Sequence, residues 1–111
     1  MQTVLDYPKI TIISPQGCIN ASNASEFQQE LTTAVSQAEN SILLVDLEKV
    51  ESLDSAGLMA LVSGLKTSQD LKKRFSLCSV SPAMRIIFEV TQLDRVFEIF
   101  DSKAAFAKSI A

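Results

Sequence analysis

From residue 41 onward, short apolar blocks alternate with longer stretches in which apolar residues return every three or four positions. Ser41-Ile42-Leu43-Leu44-Val45-Asp46-Leu47 is a run of branched side chains, the pattern of a strand buried on both faces. A polar loop follows, and then Leu58, Leu61, Val62 and Leu65 recur at helical spacing, predicting a helix that runs to about Lys72. Phe75-Ser76-Leu77-Cys78-Ser79-Val80 reads as the next strand. Ser81-Pro82 is a helix start, a capping residue followed by proline at the first helical position. Ala83, Ile86, Ile87 and Val90 supply the expected buried stripe of that helix. Val96-Phe97-Glu98-Ile99-Phe100 forms a last strand, and Asp101-Ser102 opens a terminal helix carrying Phe106 and Ile110.

Upstream, Val4-Leu5 and the alternation of Ile10 and Ile12 predict two short strands around Tyr7-Pro8. Pro15 and Gly17 mark the end or a bend of the second. Asn23 followed by Glu26 has the spacing of a capping box. Phe27, Leu31, Ala34, Val35 and Ala38 give the ensuing helix one apolar face to about Ala38, with Asn40 as its stop. Strands alternating with helices after residue 20 require crossover connections, which favour parallel pairing. The expected fold is α/β: a mixed, mostly parallel sheet of about five strands with about four helices packed on it, one domain over residues 1–111.

Composition narrows the function. A 111-residue chain with 47% hydrophobic and 21% charged residues is a folded domain rather than a disordered segment. A net charge of −3 argues against a surface that tracks nucleic-acid phosphates. Lys72-Lys73-Arg74 reads instead as a solvated helix end. No apolar run reaches membrane-spanning length and Met1–Asp6 lacks a secretory pattern, so the expectation is a soluble cytoplasmic protein without membrane association.

The sequence contains no histidine, which removes a Ser-His-Asp triad, a Cys-His pair and a histidine phosphorelay. Cys18 and Cys78, far apart, are each expected as buried free thiols and supply too few ligands for zinc. Asp46, late in a buried strand, superficially suggests an aspartyl-phosphate site. Without an adjacent acidic pair for magnesium, a structural hydrogen-bonding role is expected. No enzyme, cofactor or metal site is anticipated.

Asp54-Ser55 stands at the entrance of the long helix. Either residue can accept hydrogen bonds from free amides of the first turn, which accounts for the pair as a plain cap with no regulatory role. The same entrance tolerates a phosphate, because its unpaired N–H groups and the helix dipole favour negative charge. Ser55 can thus carry a phosphoryl group without unfolding the helix.

On a helical wheel of residues 55–69, Leu58, Leu61, Val62, Leu65 and Gln69 fall on an inward side. Ala56, Met59, Ala60, Ser63, Gly64 and Thr67 lie opposite, almost free of charge. An ordinary solvent face would carry Lys, Glu or Arg. Two accounts are open: a partner docks there, or another helix of the same domain covers it.

Leu53-Asp54-Ser55-Ala56-Gly57-Leu58 resembles the signature loop of STAS domains, in particular the bacterial anti-sigma factor antagonists, where the serine after the aspartate is phosphorylated. The resemblance continues at Gly17 to Asn20, at Val45-Asp46-Leu47, at Cys78-Ser79-Val80-Ser81-Pro82-Ala83 and through Phe88 to Asp94, nearly the whole chain. It implies partner switching. The unmodified protein would bind an ATP-dependent serine kinase that doubles as an anti-sigma factor, phosphorylation of Ser55 would release it, and a metal-dependent serine phosphatase would reset it.

The implied partner-binding set is Asn20, Asp54, Ser55, Ala56, Gly57, Met59 and Ser63, with Gly57 permitting close approach near the helix start. Asn20 departs from the family pattern. Many antagonists carry an acid at this position after a Gly-Glu pair, whereas Gly17-Cys18-Ile19-Asn20 has neither acid, which bears on partner choice. The alternative is a STAS protein- or ligand-binding module for a non-sigma target, with Ser55 never phosphorylated.

Overall fold

The computed structural model describes residues 10–37 and 41–110. In chain order these residues form β1 (Ile10–Ile13), β2 (Gly17–Ile19), α1 (Ala24–Ser36), β3 (Ile42–Asp46), β4 (Val50–Leu53) and α2 (Ser55–Asp70). There follow β5 (Arg74–Cys78), α3 (Pro82–Val90), a 3-10 turn at Leu93–Arg95, β6 (Glu98–Phe100) and α4 (Lys103–Ile110). β1, β3, β5 and β6 make one sheet in that order, every pairing parallel, and β2 pairs with β4 in a second parallel ladder. This is the expected α/β architecture. The predicted strand at Val4-Leu5, and Ala38 and Asn40, lie outside the described residues.

The central strand β3 is buried at every position because both of its faces are covered. Leu43 and Val45 join Phe27, Leu31, Leu61 and Phe88 in the main core, whereas Ile42 and Leu44 meet Cys78 and Phe106 in a smaller cluster. Side chains alternate across a strand, so α1, α2 and α3 pack on one face of the sheet and α4 on the other. Leu31, Leu61 and Phe88 have no exposed surface. Each such side chain contributes roughly 1.5–3 kcal/mol by leaving water.

Several local expectations are corrected. β4 occupies the segment read as a loop before α2; it is four residues long and polar in its middle, which hid it. The α3 stripe is inverted: Met84 and Phe88 are buried, while Ala83, Ile86, Ile87 and Val90 are exposed. Phe88 and Met84, four apart, fill the core beside Phe97, whose ring meets that of Phe88 edge-on at 5.7 Å. Cys18 is exposed rather than buried; Cys78 is buried, and both thiols are free.

The basic run is more than a solvated helix end. Lys73 Nζ donates to the carbonyls of Val35 and Gln37, closing the C-terminal end of α1. Arg74 makes a bidentate pair with Glu98 (2.6 and 2.8 Å) and lies over the rings of Phe100 and Phe106. Asp46 accepts from the Glu48 amide and lies 3.5 Å from Lys103 Nζ, the structural role expected of it.

Candidate functional site

β2 and β4 run parallel and side by side, with Cys18 opposite Ser52 and Ile19 opposite Leu53. Both strands end at the same edge and both lead into a helix. The ladder therefore brings Asn20, which follows β2, next to Asp54, which follows β4, and the Asp54 amide donates to the Ile19 carbonyl (3.1 Å). Gly17 opens β2 with a φ of 77°, a left-handed conformation that glycine adopts without strain, and its amide donates to the Lys49 carbonyl. The register shifts between Gly17 and Cys18, a bulge of the kind that bends a strand locally.

Of the two residues able to cap α2, Asp54 is the one that does so. Its backbone is extended and its Oδ1 accepts from the Gly57 amide at 3.1 Å, satisfying one of the free donors of the first turn. Ser55, the first helical residue, is exposed.

The neighbouring loop is held differently from the capping box that Asn23 and Glu26 suggested. Asn23 makes no side-chain cap on α1. Its Oδ1 accepts from the Asn20 amide and its Nδ2 donates to the Cys18 carbonyl, tying the loop back to β2. Asn20 Oδ1 in turn accepts from the Ser22 amide and hydroxyl. Asn20 is thus fixed by its own loop and adds no charge beside Ser55. This use of Asn23 was missed because the same residue spacing fits a cap, and only the fold shows where the amide turns.

The wheel of α2 divides into two parts. Ala60 and Gly64, assigned to the outer face, are buried, Ala60 in the main core and Gly64 against α1 and β5. A Cβ on Gly64 would stand 3.3 Å from Leu31 Cβ and 3.1 Å from the Phe75 ring. For these two, the intramolecular account holds. Gln69, assigned inward, is exposed, and Val62 is half-buried.

What remains open is a strip formed by Ser55, Met59 and the half-buried Ala56, Val62 and Ser63. Met59 is 58% exposed. The first ionic side chain within α2 is Lys66, three turns beyond Ser55 and about 16 Å along the axis. Gly57 lies beneath this strip rather than on it: a Cβ there would fall 2.6 Å from Leu53 Cδ1 and 2.8 Å from Ile19 Cγ2. It lets the start of α2 sit directly on β2 and β4.

The arrangement offers an exposed hydroxyl on a capped helix start, next to a neutral, weakly apolar strip with an adaptable methionine. Among the described residues, no group of three or more His, Cys, Asp or Glu is placed to hold a metal ion, and no helix is long and apolar enough to cross a membrane.

This fold and this loop define the class: the model of the STAS domain matches residues 3–105, and the chain belongs to that family. Its relatives include the candidate anti-sigma factor antagonist BtrV of Bordetella bronchiseptica, 29% identical over 92 residues, spanning 83% of this chain and 78% of BtrV. A candidate antagonist of Thermotoga neapolitana is 32% identical over 94 residues, 84% of this chain and 82% of that one. The crystal structure of a candidate antagonist from Thermotoga maritima superposes with a TM-score of 0.84 at 24% identity, covering 97% of this chain and 91% of that one.

Proposed function

We propose that this protein is an anti-sigma factor antagonist that works by partner switching in the cytoplasm, residues 1–111 acting as one STAS domain. The unphosphorylated form binds an anti-sigma factor that is also a serine kinase; transfer of a phosphoryl group to Ser55 releases it, and a metal-dependent serine phosphatase restores binding. The observation that carries this reading is the exposed Ser55 at the head of a neutral strip on α2, beside Asn20 and behind the Asp54 cap. The relatives named as candidate anti-sigma factor antagonists support it.

The switch requires no refolding. Phosphorylation adds about −1.5 to −2 charges at the rim of a docking strip without ionic side chains of its own. Each 1.4 kcal/mol of resulting repulsion or desolvation weakens affinity about tenfold. Asp54, Ala56, Met59, Ser63 and Asn20 provide the contacts around the hydroxyl, and Gly57 supports them from below.

Two measurements test this together. Intact-mass and fragment analysis of protein from its native cells is expected to find one phosphoryl group, on Ser55, that varies with growth condition. Titration calorimetry with the kinase captured on Ser55→Ala is expected to give equal affinity for wild type and Ser55→Ala. Phosphorylated protein and Ser55→Asp should bind at least about tenfold more weakly. Equal affinity of the modified and unmodified forms sinks the charge switch, and absence of the phosphate across conditions favours a STAS module that binds without one.

A further inference from the structure

The second unexplained surface is α3. All but two of its nine residues, Arg85 and Glu89, are apolar. Met84 and Phe88 satisfy the core, yet Ile86, Ile87 and Val90 stand out at 59%, 36% and 77% exposure, with Val96 just beyond the helix at 52%. A helix that is apolar on both sides is one with a second surface to cover. Nothing among the described residues covers it.

The charges narrow what does. Arg85 and Glu89 lie one helical turn apart along the same flank of the apolar stripe. Arg85 reaches Asp101 at 3.6 Å rather than Glu89, and Glu89 has no ion-pair partner among the described residues. A partner of uniform charge along this flank would attract one of the two and repel the other. A flank of reversed order would match both, and this helix itself becomes such a flank when turned end for end.

We propose that a second copy of the chain docks here, α3 against α3, antiparallel about a two-fold axis passing near Ile87. Such an axis reverses the helix direction and keeps each flank on its own side. Arg85, two residues before the axis, then faces the partner's Glu89, two residues after it, and the contact occurs twice. Ala83, Ile86, Ile87 and Val90 close on the same stripe of the other copy. The stripe offers four apolar side chains, where a standard stable interface takes about 20–30 residues a side, so the dimer is weak and forms at high concentration. It uses a different helix from the Ser55 strip and does not depend on how that strip functions.

Sedimentation velocity on the full chain from micromolar to millimolar concentration tests this. A reversible rise toward twice the monomer mass is expected. Val90→Glu should raise the dissociation constant by at least about tenfold. Arg85→Glu should weaken the dimer by placing like charges together, and the double variant Arg85→Glu with Glu89→Arg should restore it. Both lack the Arg85–Asp101 contact, so their comparison isolates the contact between copies. A monomer throughout the range, a dimer indifferent to Val90→Glu, or a swap that fails to restore association each overturns the proposal. Thermal unfolding of each variant verifies that these surface changes leave the fold in place.

Discussion

Gly57→Ala is a small change with a calculable outcome. The new methyl carbon would sit 2.6 Å from Leu53 Cδ1, 2.8 Å from Ile19 Cγ2 and 3.1 Å from the Ile19 carbonyl oxygen. The two methyl groups can turn away. The carbonyl cannot, because it accepts the Asp54 amide that joins the two loops. Overpacking of this kind costs about 1–3 kcal/mol. Against it stands the helix preference of alanine over glycine, at most about 1 kcal/mol and less in a first turn. The net expectation is a loss of about 1–2 kcal/mol.

With an unfolding entropy of ~2.1 cal/mol/K per residue over 111 residues, each kcal/mol lowers Tm by about 4 °C, so the variant should melt about 4–9 °C early. Gly64→Ala is the control. Its nearest neighbours are side-chain atoms at 3.1–3.3 Å, and the full helix-interior gain applies, so its stability should stay within about 1 kcal/mol of wild type. Calorimetric melts of the three proteins decide the matter. A Gly57→Ala protein as stable as wild type, or a Gly64→Ala protein that falls equally far, would refute the assignment of close approach to Gly57.

Two further outcomes follow from named contacts. Asp54→Ala removes the cap on the Gly57 amide and should lower stability by about 1 kcal/mol in urea titration, with Asp54→Asn retaining most of it; an unchanged midpoint for Asp54→Ala would show that the cap contributes nothing. The bidentate Arg74 fork, with help from the Ser76 hydroxyl and against the effect of burial, holds Glu98 below the usual carboxylate range. A depressed carboxylate stabilises the fold above its unfolded value, about 4.3, and that contribution is lost as pH falls through the lower folded value. Glu98→Gln should therefore cost below about 1 kcal/mol at neutral pH, since both partners are partly solvated, and the difference from wild type should fade in acid. A difference independent of pH would mean that shape, not charge, matters there.

The entrance of α2 was legible in the sequence because its signals are local. Asp54 as cap and Ser81-Pro82 as helix start need only their own neighbours to act. β4 was not, because Val50 and Leu53 flank two exposed residues and the strand exists only through its pairing with β2. The α3 stripe failed for a related reason: periodicity shows that a helix has two apolar sides, and only the shape of the core decides that Phe88 goes in and Val90 stays out. Asn23 fitted a cap by spacing, but its amide is committed to Asn20 and Cys18. The small residues of α2 divided on the same principle, Gly64 serving Leu31 while Met59 faces water.

The contrast between the two thiols gives the protein an intrinsic reporter position. Cys18 is exposed on β2, directly opposite Ser52 and two residues before Asn20, while Cys78 is fully buried and its burial pushes its thiol pKa up. Because the thiolate is the reactive form, a maleimide dye at neutral pH should modify Cys18 and spare Cys78 in the native state. A fluorophore can thus be placed beside the Asn20–Asp54 edge without engineering a single residue. Its emission would register the docking of a partner proposed for the Ser55 strip, in real time and on the natural sequence.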